Sequence, residues 1–193
     1  RDVADFARFR LFFNAGAALP YDTGSNIERL MGCVSQSMYG STDGGVPTTT
    51  AVSDPKEKRL GTVGRVVPGC ECEPWDADGK PVPLGQDGEV VWRGADKSWG
   101  YLADDEQTWK TFTKDGFYRS GDLGRFDEDG YLRIVGRIKD MILRGGMNVF
   151  PFEIETVLIA HPQIAAVAVI AVTDDRLGER ACAVIVPAAE PPT

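Results

Sequence analysis

Histidine is almost absent from this sequence: there is one among 193 residues, and there are only four cysteines. Cys33, Cys70, Cys72 and Cys182 show no common zinc-ligand spacing, and a single histidine adds little, so a metal site built on these residues is not expected. They read as buried free thiols, because free cysteine packs as a small hydrophobe, and such usage fits a reducing cytoplasm. Cys70 and Cys72, with one residue between them, would share one face of a strand. No apolar run is long enough to span a membrane, and no cleavable leader is visible. The chain begins at Arg1 rather than at a methionine. Positive charge is scarce, with 21 Lys and Arg against 29 Asp and Glu and a net charge of −8. Nucleic acid is therefore not an expected partner, since such a binder carries a basic patch or stripe. The one basic cluster, Arg133 to Arg144, is diluted by apolar residues and suits a small phosphate-bearing molecule. Repeats and low-complexity tracts are also missing. What remains is an ordinary globular composition, 42% apolar and 26% charged, in a length that fits one medium domain or two small ones.

Along the chain, residues 9–16 read as a buried strand running into a small-residue loop. Pro20 stands where a helix begins, and Ile27, Leu30, Met31 and Val34 recur at helical spacing, predicting an amphipathic helix over 21–32. A second loop covers 39–45. From 61 to 135, four Asp-Gly pairs (Asp78-Gly79, Asp87-Gly88, Asp115-Gly116, Asp129-Gly130) punctuate short β-branched or aromatic runs at 63–67, 89–93 and 131–135. Asp-Gly between such runs is a hairpin signal, so this stretch predicts a mostly antiparallel β module, interrupted by a short helix over 104–111. Residues 136–140 read as a connector and 141–143 as a brief strand ended by Gly145-Gly146. Pro151 opens a helix with Glu153 and Glu155 in its positive first turn, Ile154, Val157, Leu158 and His161 on one face, and Pro162 as its stop. The apolar runs 164–172 and 181–186 predict buried strands, completing a small α+β domain that starts near Asp140 and looks cut off after Pro187.

Three groups of residues can carry chemistry. In the loop Tyr39, Gly40, Ser41, Thr42, Asp43, Gly44, Gly45, the small residues let a backbone approach a ligand closely. The hydroxyls suit phosphate oxygens, Asp43 suits Mg2+, and Tyr39 offers a face for a base. Such a loop can equally be a plain turn. The smallness of Gly44 and Gly45 beside Val46 also hints at room for a ring. Asp122, in Tyr118, Arg119, Ser120, Gly121, Asp122, Leu123, Gly124, can accept hydrogen bonds from both hydroxyls of a ribose or simply cap its own turn. Arg137, Lys139 and Arg144 place three cations within eight residues, able to meet phosphate, Arg137 by a bidentate contact, or to lie on a solvated strand.

These pieces occur in a fixed order. Tyr39 to Asp43 comes first and Tyr118 to Gly124 second. Asp129, Gly130, Tyr131 and the run to Met141-Ile142 follow, then Gly145, Gly146, Met147, Asn148, Val149, Phe150, Pro151, Phe152, Glu153. In that order they resemble the adenylate-forming superfamily of acyl-CoA synthetases, luciferase-like enzymes and peptide-synthetase adenylation domains, over nearly the whole chain. The resemblance implies an α+β fold class: the end of the large adenylation domain with an antiparallel β module, followed by a truncated small α+β C-terminal domain. Residues 1–60 would belong to the α/β core, 61–136 to the β-rich subdomain, 137–140 to the hinge and 141–193 to the small domain.

The same resemblance implies site roles. Thr42 would contact the α-phosphate of ATP. Asp43 stands where the family usually has glutamate, the Mg2+ ligand; its shorter side chain withdraws the charge by one methylene, leaving room for an intervening water. Tyr39, Gly40 and Ser41 would line the nucleotide, with Tyr39 against the adenine and Gly16, Ala17 and Ala18 on the adenine side. Asp122 would hold the ribose, and Ile134 and Arg137 would flank the nucleotide. Lys139 matches the hinge, and Gly145 and Gly146 the loop beside the coenzyme A pantetheine. The run around Lys139 to Pro151 is similar to carboxylate–CoA ligases, and Arg144-Gly145-Gly146 also to aryl-acid ligases that load a carrier-protein phosphopantetheine; a non-catalytic nucleotide-binding homologue is the third alternative. The implied partners are a small carboxylic acid, ATP or AMP, and coenzyme A. Neither a Ser/Thr/Gly-rich loop ending in Pro-Lys-Gly nor any lysine after Lys139 occurs. These 193 residues are accordingly expected to be inactive alone.

Overall fold

A computed structural model describes residues 8–188, which divide into two compact units. One takes in the chain up to Ser120 together with Gly124–Ile134; the other comprises Gly121–Leu123 and the chain from Val135 onward.

The first unit begins as a βαβ arrangement. β1 (Leu11–Asn14) leads through α1 (Tyr21–Met31) to β2 (Val34–Ser41), which lies parallel to β1 with Asn14 opposite Ser37. Parallel neighbours require such a crossover. Gly32 closes α1 at φ 64, a left-handed cap that glycine adopts without strain, and its N–H donates to Glu28 O at 3.0 Å. β3 (Gly45–Thr49) returns antiparallel to β2, and α2 (Lys56–Gly61) precedes β4 (Arg65–Val66) at the sheet edge, giving the order β1-β2-β3-β4.

A buried ion pair pins the middle of this sheet. Arg59 on α2 is bonded to Glu28 on α1, and Glu28 Oε1 accepts the Ser35 N–H at 2.8 Å. Arg59 Nη1 donates to Ser35 O at 2.8 Å and Nε to Asp54 O at 3.1 Å. Both side chains are about nine-tenths buried, at 9% and 11% exposure. The pair therefore ties both helices to the start of β2, the strand whose far end carries the 39–45 loop.

The second sheet has the order β5 (Glu71–Trp75), β6 (Gly88–Arg93), β7 (Tyr118–Phe126), β8 (Leu132–Arg137), with α3 (Asp105–Thr111) between β6 and β7. Asp104 caps α3, its carboxylate accepting the Gln107 N–H at 2.9 Å. The core is Val90, Trp92, Phe112, Tyr118 and Leu132, against which Tyr39, Cys70, Cys72 and Ile134 pack.

Three of the four Asp-Gly pairs lie in turns. Asp87-Gly88 does not: Gly88 opens β6, where a Cβ would meet the Trp75 backbone at 2.7 Å. The run 63–67 is likewise not a strand of this module. Its core, β4, joins the first sheet, while Val63 N–H donates to Leu132 O at 2.9 Å and Leu132 N–H to Gly64 O at 2.8 Å, lacing it to β8.

In the second unit, a 3-10 turn (Ile138–Asp140) precedes β9 (Ile142–Arg144), β10 (Met147–Val149), α4 (Pro151–Ile159), β11 (Ile164–Asp174) and β12 (Gly178–Pro187). The sheet order is β10-β9-β12-β11, all antiparallel. Two expectations need correction here. Glu155 lies beyond the first turn of α4, and its carboxylate instead accepts the Val169 N–H of β11 at 2.7 Å. His161 falls past the helix end, which the Ala160 cap sets at Ile159.

The strands expected to be buried are only partly so. Val169 alone is buried in β11, and Ile170 and Val184 are about half exposed, at 48% and 52%. α4 packs on β11. In β1, the first strand of its sheet among the described residues, Leu11 and Phe13 are exposed at 40% and 50%. The cysteines divide similarly. Cys33 is buried, Cys70 and Cys72 are half-buried on the face that packs on the core, and Cys182 is exposed.

Candidate functional site

The parallel pairing of β1 and β2 places their C-terminal ends at the same edge of the sheet. From that edge emerge Gly16, Ala17 and Ala18 after β1, and Tyr39, Gly40, Ser41, Thr42 and Asp43 at the end of β2. Ligands of open α/β sheets bind outside the carboxyl ends of such strands.

Each loop has a local cause. Gly16 turns at φ 80, and Asn14 Nδ2 donates to Ala17 O at 3.0 Å. In the second loop the β2–β3 register shifts between Tyr39 and Ser41, so the hairpin bulges there. A Cβ on Gly40 would lie 2.3 Å from Gly45 O, so only glycine permits the close approach of the two strands. Ser41 Oγ accepts the Gly44 N–H at 2.8 Å, and the buried indole of Trp92 donates from Nε1 to Gly44 O at 2.5 Å. A Cβ on Gly44 would stand 2.6 Å from the Trp92 and Tyr118 rings. The side of Gly44 on which a side chain would stand is thus filled by Trp92 and Tyr118.

Thr42 is exposed at the loop tip, and Asp43 is half-buried. Asp43 Oδ2 accepts a hydrogen bond from the Tyr101 hydroxyl at 2.7 Å, and Asp43 O accepts the Ser98 N–H at 2.7 Å. The Asp43 carboxylate is the main cause raising the Tyr101 pKa above its ordinary value, with burial adding to it. The Tyr39 ring meets Trp92 edge-on, centroids 5.6 Å apart.

Among the described residues, no group of three or more His, Cys, Asp or Glu side chains could hold a metal ion. A single carboxylate beside two hydroxyls nevertheless fits Mg2+, which keeps several waters and is bound through one or two carboxylates plus substrate phosphates.

On β7 and β8, Arg137 Nε donates to Asp122 Oδ1 at 3.0 Å. The carboxylate is 14% exposed and the guanidinium 56% exposed. Sequence reading named both residues but not their pairing. Their motif neighbours are occupied structurally. Arg119 grips the buried Glu89 of β6 at 2.5 Å, and Ser120 Oγ donates to Val90 O at 2.6 Å. Arg119 went unassigned in the sequence because its partner lies 30 residues away. Ile134 packs against the core cluster, and Lys139 is exposed in the 3-10 turn.

Gly145 and Gly146, at φ 59 and 86, form the two-residue turn between β9 and β10. Positive φ at both central residues is the type I′ requirement that selects glycine. The Gly145 N–H donates to Leu177 O at 2.8 Å.

Burial pushes the Cys70 thiol up to about 11 and raises the Cys72 thiol further, and nucleophilic cysteine needs a lowered pKa.

The profile of the family described as AMP-binding enzyme matches residues 1–102, and that of the AMP-binding enzyme C-terminal domain matches 153–193. The chain belongs to the AMP-binding, adenylate-forming enzyme family. It is 37% identical over 186 residues to a medium-chain fatty-acid–CoA ligase of Escherichia coli (strain K12), covering 96% of this chain and 33% of that protein. It is 35% identical over 189 residues to a 2,3-dihydroxybenzoate-AMP ligase of Bacillus subtilis (strain 168), covering 97% and 35%. The crystal structure of ATP-bound MatB from Rhodopseudomonas palustris superposes with a TM-score of 0.85 at 36% identity, over 92% of this chain and 35% of that one. The chain therefore spans about a third of the length of these AMP-binding relatives.

Proposed function

We propose that these residues act within a longer ATP-dependent carboxylate–CoA ligase. Such an enzyme joins an acid to ATP, giving an acyl adenylate and pyrophosphate, and then passes the acyl group to the thiol of coenzyme A. The observation that carries this reading is the common edge formed by the ends of β1 and β2, from which both the Gly16–Ala18 loop and the Tyr39–Asp43 loop emerge.

In this reading Gly16, Ala17, Ala18 and Tyr39 border the adenine, with Gly40 and Ser41 shaping the loop. The Thr42 hydroxyl donates to the α-phosphate. Asp122 accepts from the ribose hydroxyls, Ile134 flanks the nucleotide, and Arg137 turns from Asp122 toward ribose or phosphate oxygens. Asp43 holds Mg2+, which offsets the charge that builds on the phosphate during attack by the carboxylate. Gly145 and Gly146 line the path of the pantetheine. Residues 1–60 end the α/β core, 61–136 form the β-rich subdomain, 137–140 the hinge at Lys139 and 141–193 the small domain. The change of compact unit at Ile134/Val135 supports a hinge close by. Free cysteines suit the cytoplasm.

The test is pyrophosphate release by the full-length protein with ATP, Mg2+ and a panel of fatty and aromatic acids, alongside calorimetry of AMP. Activity on at least one acid is expected, with AMP affinity falling at least tenfold in Asp122→Ala. Equal AMP affinity in both proteins would remove the ribose assignment, and inactivity on the whole panel would favour a non-catalytic nucleotide-binding homologue.

A second reading has its own support in the 35% identity to an acid–AMP ligase. There the acceptor is the phosphopantetheine of a carrier protein, and thioester formation with that protein but not with free coenzyme A would select it.

A further inference from the structure

The segment between β6 and α3 crosses the 39–45 loop like a strap. Asp96 Oδ2 accepts the Val46 N–H at 2.8 Å, the Ser98 N–H donates to Asp43 O at 2.7 Å, and the Tyr101 hydroxyl donates to Asp43 Oδ2 at 2.7 Å. Tyr101 is itself held from several sides. Its N–H donates to Thr108 Oγ1 at 2.9 Å, and its ring packs on Phe112 with centroids 6.3 Å apart. The Thr111 hydroxyl bonds to the phenol oxygen, and Gln107 Nε2 donates to Thr111 Oγ1 at 3.1 Å. The hydroxyls thus run in one direction, from Gln107 through Thr111 and Tyr101 to Asp43, rooted in α3.

Packing alone does not call for this chain, since a phenylalanine would fill the place of the Tyr101 ring. What the hydroxyl adds is orientation. A carboxylate near the tip of a loop has two rotatable bonds, and fixing them when a ligand arrives costs free energy. Paying that cost in advance is what preorganises a binding group.

We propose that Tyr101 is a positioning residue, whose hydroxyl engages Asp43 Oδ2 and holds Oδ1 ready for the Mg2+ that accompanies the nucleotide phosphates. The inference rests on the reading of Asp43 given under the proposed function. In this role Tyr101 acts only through Asp43.

The experiment uses the full-length protein and calorimetry of ATP with Mg2+ and with EDTA, so that the readout is the gain in ATP affinity on adding the metal. Tyr101→Phe is expected to reduce that gain about three- to tenfold, the scale of one hydrogen bond, while AMP affinity in EDTA stays within about twofold. In an Asp43→Ala background the same substitution is expected to have no further effect, the signature of two residues acting as a unit. Thr111→Val, which keeps the shape but removes the upstream hydroxyl, is expected to change the gain in the same direction by a smaller factor. An unchanged gain in Tyr101→Phe, an equal loss of AMP and ATP affinity, or an effect that persists in Asp43→Ala would each overturn the proposal. A wild-type protein whose ATP affinity does not respond to Mg2+ would instead overturn the reading of Asp43, and this one with it.

Discussion

A methyl group added at Gly44 would collide with Trp92 and Tyr118, while one at Gly16 would meet nothing within 4 Å. The two glycines read alike in the sequence, yet one is required by packing and the other by its turn at φ 80. Buried charge makes the same point. Burial acts to raise the pKa of Glu28, but the Arg59 hydrogen bond, the Ser35 N–H and the charges of Arg59 and Lys56 outweigh it and hold the carboxyl below its usual range. A lowered folded pKa means that Glu28 stabilises the fold above the unfolded value, about 4.3, and that this share is lost as pH falls through the folded value. Glu28→Gln is expected to cost about 3–5 kcal/mol at pH 7, because it strands a buried guanidinium. It should also flatten the loss of stability below about pH 4.3. Urea unfolding of both proteins at pH 7 and in the acid range checks both outcomes.

Among the elements, α1, α3 and α4 were legible because helix signals are local, as the helical period of α1 and the proline at the first helical position of α4 show. β10 was missed, being three residues long and defined only by its pairing with β9. The degree of burial was misread in β1, β11 and β12, since an apolar run states a preference and not which of its faces another element covers. The turn joining β9 and β10 yields a clear expectation. At Gly146, φ 86, valine should destabilise the hairpin by about 1–2 kcal/mol, and asparagine, which tolerates the left-handed region, by much less. Amide exchange of β9 and β10 would report the order glycine, asparagine, valine; equal protection in all three would show that the turn is not held in that conformation.

For the molecule as a whole, the two compact units and the exposed 3-10 turn at Lys139 frame one further expectation. If residues 137–140 are the hinge, Lys139→Pro restricts φ at one residue of it. In the full-length protein this should slow thioester formation at least tenfold while acyl-adenylate formation changes by less than about threefold, the pattern expected when one conformational step is impeded. Separate assays of the two half-reactions would decide, and equal slowing of both would place the hinge elsewhere.

The sequence by itself determined the family and the α+β class and nominated the candidate residues, because motif order, periodicity and turn chemistry are carried by neighbours along the chain. Tertiary structure alone decided the partners: Asp43 with Tyr101, Asp122 with Arg137, Arg119 with Glu89, and Gly44 with the indole of Trp92. These contacts join residues 15 to 58 positions apart, and one-dimensional spacing does not encode which of many compatible donors and acceptors will meet. Parallel pairing of β1 with β2 likewise decided that two separate loops share one edge, since only the βαβ crossover brings the ends of those strands together.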